Sequence, residues 1–146
     1  MRNRSFATLG TLALLAAASA FGQQKLRYDI PFEFHFADTV MPAGQYEVNA
    51  AANNVRHFLS LECYTCRVHA YSTTFGIGGG GNLPDQGRLV FNKYGETYFL
   101  SEVWTPGDSQ GGGLTKSKTE SETARTTPSV ARITVPVRKG VTIARR

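Results

Sequence analysis

Arg88-Leu-Val-Phe-Asn-Lys-Tyr94-Gly-Glu96-Thr-Tyr-Phe-Leu-Ser-Glu-Val-Trp104 is the stretch on which the reading of this chain turns. Two runs rich in Val, Leu, Phe, Tyr and Trp flank a Tyr94-Gly95-Glu96 break, the pattern of a β-hairpin. The stretch holds the single Trp and much of the apolar bulk, so the remaining strands are expected to pack onto it. Leu89, Phe91, Tyr98, Leu100 and Trp104 can share one face of this hairpin. Glu102 then falls on that face too, which requires either a bulge near the turn or a rim position for Glu102.

Working outward, Leu26 to Phe36 places Ile30, Phe32, Phe34 and Phe36 at a spacing of two, the signature of a strand with one buried face. Pro31 cannot donate a ladder hydrogen bond, which puts this strand at an edge or gives it a bulge. Asp38 to Gly44 reads as a turn region. Gln45-Tyr-Glu-Val-Asn49 alternates again and predicts an exposed Glu47 between Tyr46 and Val48. Asn53-Asn54 is a further turn signal. Val55 to Leu61 and Arg67 to Thr73 read as a second hairpin around Cys63-Tyr-Thr-Cys66. With Tyr64 and Thr65 as its turn, Glu62 faces Arg67, Leu61 faces Val68 and Ser60 faces His69, so charges and apolar residues each find a match.

Beyond that, Gly76-Ile-Gly-Gly-Gly-Gly81 marks residues 76–87 as a flexible loop. Residues 108–128 are polar. Within them Gln110-Gly-Gly-Gly113 reads as loose chain, and Ser117 precedes Glu120 by three residues as a weak capping box. Thr115 to Arg125 is either a short exposed helix or disordered. Ser129 to Val137 reads as a strand. A chain of 146 residues with 41% hydrophobic content and 15 Gly therefore predicts one all-β domain, a small antiparallel sandwich or open barrel, with room for one short C-terminal helix.

The N-terminus addresses location. Met1-Arg-Asn-Arg4 is basic, Phe6 to Ala18 is apolar, and Ala18-Ser-Ala20 has the small-x-small form of a cleavage site. Residues 1–20 are expected to be a Sec-type signal peptide. The domain, 21–146, would then be periplasmic, at the cell surface or extracellular, and the mature chain would carry no transmembrane span. Losing Arg2 and Arg4 from the 16 basic residues leaves 14 against 11 acidic, a net +3. That is ordinary surface charge and argues against a nucleic-acid partner. The C-terminal Arg138 to Arg146 is a basic tail, read as solvated.

Cys63 and Cys66 are expected to form a disulfide in an oxidising compartment. Facing Cα atoms across a tight turn lie about 5.5 Å apart, within bridging distance. A redox role would need the first Cys at a helix N-terminus. A zinc site from His57, Cys63, Cys66 and His69 fails because His69 projects from the other face. No metal ligands, cofactor site or catalytic residues are assigned. The glycine run lacks the Lys-Ser/Thr of a phosphate loop, and no nucleophile elbow or zinc-protease pair occurs.

Pro31-Phe-Glu-Phe34 with Met41-Pro-Ala-Gly-Gln-Tyr46, and Gly87 to Gly107 with its Tyr-Phe-Leu-Ser-Glu-Val-Trp-Thr-Pro-Gly ending, resemble a group of small exported bacterial proteins with a signal peptide and a β-rich body. The resemblance spans about Pro31 to Lys118 and extends to Leu114-Thr-Lys-Ser117. It implies export and fold and carries no function with it. The Cys pair and Gly76–Gly81 fall outside that pattern. The expected role is a non-enzymatic structural or binding module whose partner is an envelope protein, glycan or lipid, with Tyr94, Tyr98 and Trp104 as its contact surface. The rivals are a carrier of a small apolar ligand in a barrel interior, a hydrolase with dispersed residues such as His35 with Glu33 or Glu102, and an assembly subunit using an unpaired edge at its first or last strand.

Overall fold

The computed structural model describes residues 25–53, 56–78, 80–81 and 83–138; the expected signal peptide and most of the basic tail lie outside the described residues. The chain is a β-sandwich. Its strands are β1 (Lys25–Ile30), β2 (Phe34–Phe36), β3 (Thr39–Met41), β4 (Gly44–Asn53), β5 (Arg56–Cys63), β6 (Val68–Thr73), β7 (Phe75–Gly78), β8 (Arg88–Tyr94), β9 (Thr97–Trp104), β10 (Gln110–Gly113) and β11 (Val130–Pro136), with helix α1 (Lys118–Thr126) before the last. Four strands form one sheet in the order β1-β4-β5-β6. The other sheet runs β11-β8-β9-β10-β7, and the β2–β3 hairpin joins it through a parallel His35↔Phe99 contact on β9. The sheets do not close into a barrel.

The β8–β9 hairpin forms as expected, with Tyr94 opposite Thr97 and Gly95 at φ +59 in the turn. Glycine at the first central position accepts that conformation without a Cβ clash. The Glu102 conflict resolves through a bulge at the far end from the turn: Val90 pairs Glu102 while Phe91 pairs Leu100, leaving Ser101 unmatched. Every side chain beyond the bulge changes face. Val103, paired with Leu89, enters the core. Trp104 leaves the face it was expected to share with Leu89 and Phe91, and joins Glu102 on the outside of the sheet.

The expected strand over Leu26–Phe36 is two strands in two sheets. β1 ends at Ile30, Pro31 interrupts the ladder, and the chain crosses the sandwich to β2. Alternation survives the crossing, since Ile30, Phe34 and Phe36 are all buried. The region read as a turn after Asp38 contains β3, made possible by a two-residue turn in which Ala37 takes φ +53. Phe34 then lies between the sheets, edge-on to Tyr46 at 5.3 Å and to Phe91 at 5.2 Å. Phe32 stacks on Tyr98 at 3.9 Å.

In the second hairpin Leu61 faces Ala70, Glu62 faces His69 and Cys63 faces Val68. The register is displaced by two residues from the expected one, because the turn uses four residues, Tyr64 to Arg67. Arg67 N donates to Cys63 O at 3.1 Å and Arg67 takes φ +54. A shift of two preserves the faces.

Two glycine-rich stretches read as loops are paired strands. Gln110↔Gly78 through Gly113↔Phe75 join β10 to β7. Glycine has little strand preference of its own; here its missing side chain makes room for rings. A Cβ on Gly111 would lie 2.8 Å from the Trp104 ring, and one on Gly113 would lie 2.7 Å from Phe75. The aromatic residues cover the glycine backbone and hold it in the sheet.

Residues 118–126 are helical. Ser117 caps the helix, its hydroxyl accepting from Glu120 N at 3.1 Å. The Glu120 carboxylate turns inward, where it accepts from Asn92 Nδ2 (2.9 Å) and Tyr94 Oη (3.2 Å). This pins α1 across the outer face of the seven-stranded sheet.

Candidate functional site

The four-stranded sheet presents an outer face that no other described element covers. Strand register fixes its pattern. One row runs Arg27, Glu47, Glu62, His69, and the next runs Lys25, Asn49, Ser60, Tyr71. Tyr64 approaches from the turn and Phe58 stands near Tyr71, with ring centres 5.8 Å apart.

Glu47 is the centre of this face. Its side chain points outward, as the alternation predicts, yet the residue is only 1% exposed, which corrects the expectation that it would be wet. Long neighbours cover it. Lys25 Nζ lies 2.8 Å from Oε1, Arg27 Nε lies 3.9 Å from Oε2, and Tyr64 Oη donates to Oε2 at 2.6 Å. Arg27 also sits over the Tyr64 ring at 5.4 Å. Lysine and arginine stems shield the carboxylate while their charged ends reach solvent.

The electrostatics follow from those contacts. Burial pushes the Glu47 carboxyl up, but the hydrogen bonds from Lys25 and Tyr64 and the charges of Lys25 and Arg27 outweigh it and hold it below the ordinary range. The same hydrogen bonds hold the Lys25 ammonium and the Tyr64 phenol above theirs. Glu47 is therefore a fixed anion held among two cations and a phenol, rather than a carboxyl poised to exchange protons near neutrality.

Tyr64 owes its position to the turn that carries it. Cys63 and Cys66 stand at disulfide distance, with Cα atoms 5.5 Å apart, and bracket Tyr64 and Thr65. The separation matches the expectation, although Cys63 ends β5 opposite Val68 and Cys66 lies inside the four-residue turn, instead of the two facing each other across a two-residue one. Tyr46 Oη lies 3.8 Å from Cys66 Sγ and donates to Pro42 O at 2.5 Å. Burial raises the Tyr46 phenol to about 12. A surface depression of about 250 Å³ lies beside this turn, bordered by Glu62, Tyr64, Arg67 and His69.

The structure separates the three aromatic residues expected to form a contact surface. Tyr94 is 4% exposed beneath α1, and Trp104 is 6% exposed between Gly111 and the Arg88 guanidinium, which sits 4.9 Å from its ring. Tyr98 points into the other face, against Phe32. All three pack, and they form no common surface.

Of the residues weighed for hydrolysis, His35 and Glu102 are engaged structurally, while Glu33 is exposed. His35 stacks on Phe99 at 4.6 Å, while Glu102 accepts from Trp104 Nε1 at 2.9 Å and pairs with Arg132. His69 is exposed on the outer face of the four-stranded sheet. The side chain of His57 lies outside the described residues.

No family model, curated protein or solved structure matches this chain. Its own geometry is what speaks for its function.

The sequence reading missed Glu47 because period-two alternation gives the direction of a side chain and not what lies over it. A signal existed: Lys25-x-Arg27 on one strand and Glu47 on another, all on outward positions, are what a cross-strand ion cluster requires.

Proposed function

We propose that this chain is an exported, non-enzymatic binding or structural module of the cell envelope or exterior, and that the uncovered outer face of the four-stranded sheet is its contact surface. The observation that carries this reading is the contrast between that face and the rest of the molecule. Its charges are ordered around Glu47, its aromatic residues Tyr64 and Tyr71 are 51% and 66% exposed, and nothing described lies over it. The N-terminal pattern, the bracketing cysteines and the likeness to small exported bacterial proteins support export. A balanced mix of Lys25, Arg27, Glu47 and Glu62 suits a glycan or a polar protein surface better than a polyanion.

A packed interior weighs against the carrier reading. Phe34, Phe36, Met41, Tyr46, Leu59 and Phe91 fill the space between the sheets. A partly open pocket bordered by Ala50, Leu59, Val103 and Gly111 amounts to about 50 Å³, while pockets for small molecules run to about 300 Å³ or more. Among the described residues no helix is long and apolar enough to cross a membrane.

Native mass spectrometry of the mature protein from its own envelope fraction tests the reading. The expected result is a chain cleaved near Ala20, carrying no lipid-sized adduct and showing glycan or protein adducts that Glu47→Lys and Tyr64→Ala weaken. An apolar adduct unaffected by both changes would favour a carrier. An uncleaved chain confined to the cytoplasmic fraction would overturn export.

A further inference from the structure

The two margins of the sandwich are finished differently. At one, β1 and β11 meet. Arg138 N donates to Arg27 O and Val137 N donates to Gly87 O, both at 2.8 Å, and the Arg138 guanidinium lies 3.4 Å from Asp29. Lys25, Arg27, Asp29, Arg132 and Pro136 stud these strands. Charge and proline are what edge strands carry to discourage pairing. The first and last strands, where an open edge was expected, are therefore tied together.

At the other margin β6 ends the four-stranded sheet and β7 ends the second, with Thr74 alone between them. Among the described residues no strand pairs with the outer side of either. From Val68 to Gly78 the chain contains no Asp, Glu, Lys, Arg or Pro. The β5–β6 and β7–β10 ladders run without a register shift, so no bulge turns the edge away. Tyr71 is 66% exposed and Phe75 50%. Charge, proline and bulges, three of the usual guards of an edge strand, are missing here.

We infer that this margin is a self-association surface, on which a second copy of the chain adds its own Val68–Gly78 edge, antiparallel, about a twofold axis. Neutrality selects a second copy as the occupant. A twofold contact brings an edge against itself, so a charge on it would meet its like at close range. This edge carries no Asp, Glu, Lys or Arg. Its Val, Tyr, Thr, Phe and Ile content suits a continued ladder. Tyr71 and Phe75 supply the side chains that would meet across it. The contact closes on itself, so the product is a dimer and not a fibre. A few strand residues per copy form a small interface, which implies weak association.

Sedimentation equilibrium of the mature chain, from low micromolar to near millimolar, tests this together with amide exchange. The expected mass rises from monomer towards twice that value, and amides of Val68–Gly78 exchange more slowly as it does. Tyr71→Lys and Thr73→Lys replace exposed side chains on this edge, so each should melt as the parent does yet remain monomeric at every concentration. A chain that stays monomeric, with exchange along this margin independent of concentration, would overturn the inference. So would a dimer indifferent to both changes but broken by Val40→Lys or Val130→Lys, or a margin protected only by another protein's extended segment.

Discussion

Both outer faces of the sandwich hold a glutamate that is almost wholly buried, and they keep it by different means. Glu47 lies on the four-stranded sheet among cations, with Lys25 and Arg27 able to follow solvent if it leaves. Glu120 is delivered to the seven-stranded sheet by a helix and rests on neutral donors, Asn92 and Tyr94, that stay where they are. The first arrangement leaves a face open; the second closes one. What surrounds a buried carboxylate thus tells whether the surface over it is fastened down or available.

Removing each acid should expose this difference most strongly. Glu120→Ala strands two shielded donors and loosens α1, at about 1–3 kcal/mol for each donor left unpaired. Glu47→Ala should cost clearly less, because its cationic partners return to water. Urea midpoints of the two variants give the comparison, and equal losses would erase it. Glycine offers the next contrast. Gly111→Ala drives a methyl into the Trp104 ring and should cost about 1–3 kcal/mol, with a red shift of the tryptophan emission. Gly78→Ala, which meets nothing within 4 Å, should be close to neutral in the same melts.

Acidification separates the acids further. The Glu47 carboxyl is held low in the fold, so its contribution is fully present above the unfolded carboxylate value of about 4.3. It is lost as pH falls through the lower folded value. The stability gap between the parent and Glu47→Gln should therefore be widest near neutrality and shrink below about pH 4.3. A gap that stays constant would mean Glu47 acts by shape rather than charge. A modest gain is expected at Ala37, whose φ of +53 is strained for a residue with a Cβ. Ala37→Gly should gain about 0.5–1 kcal/mol, read as a higher melting temperature.

Much of this molecule could be read before it was seen, for definite reasons. The β8–β9 hairpin, β4, β11 and the cap at Ser117 are governed by local alternation, turn chemistry and capping, all of which reside in adjacent residues. The bulge at Ser101 is not local, because either side of the hairpin could have absorbed the mismatch at Glu102. That one residue put Trp104 on the opposite face from Tyr98, and α1 laid over Tyr94 removed the third member of the expected contact surface. The glycine strands β7 and β10 could not be read either. They persist because rings from other segments lie over them, a property of the partner and not of the glycines. Cys63 and Cys66 were legible as a pair, while the length of their turn was set by Arg67 accepting a left-handed conformation.

The tie between Arg27 and Arg138 has a topological consequence. Residues 27 and 138 meet at one corner of the described body, beside β1 and across the four-stranded sheet from β6. Neighbouring ends are the condition under which a domain tolerates circular permutation or insertion into another chain. A tether at either end would hold this domain like a flag on one post, with its free margin turned away from the point of attachment.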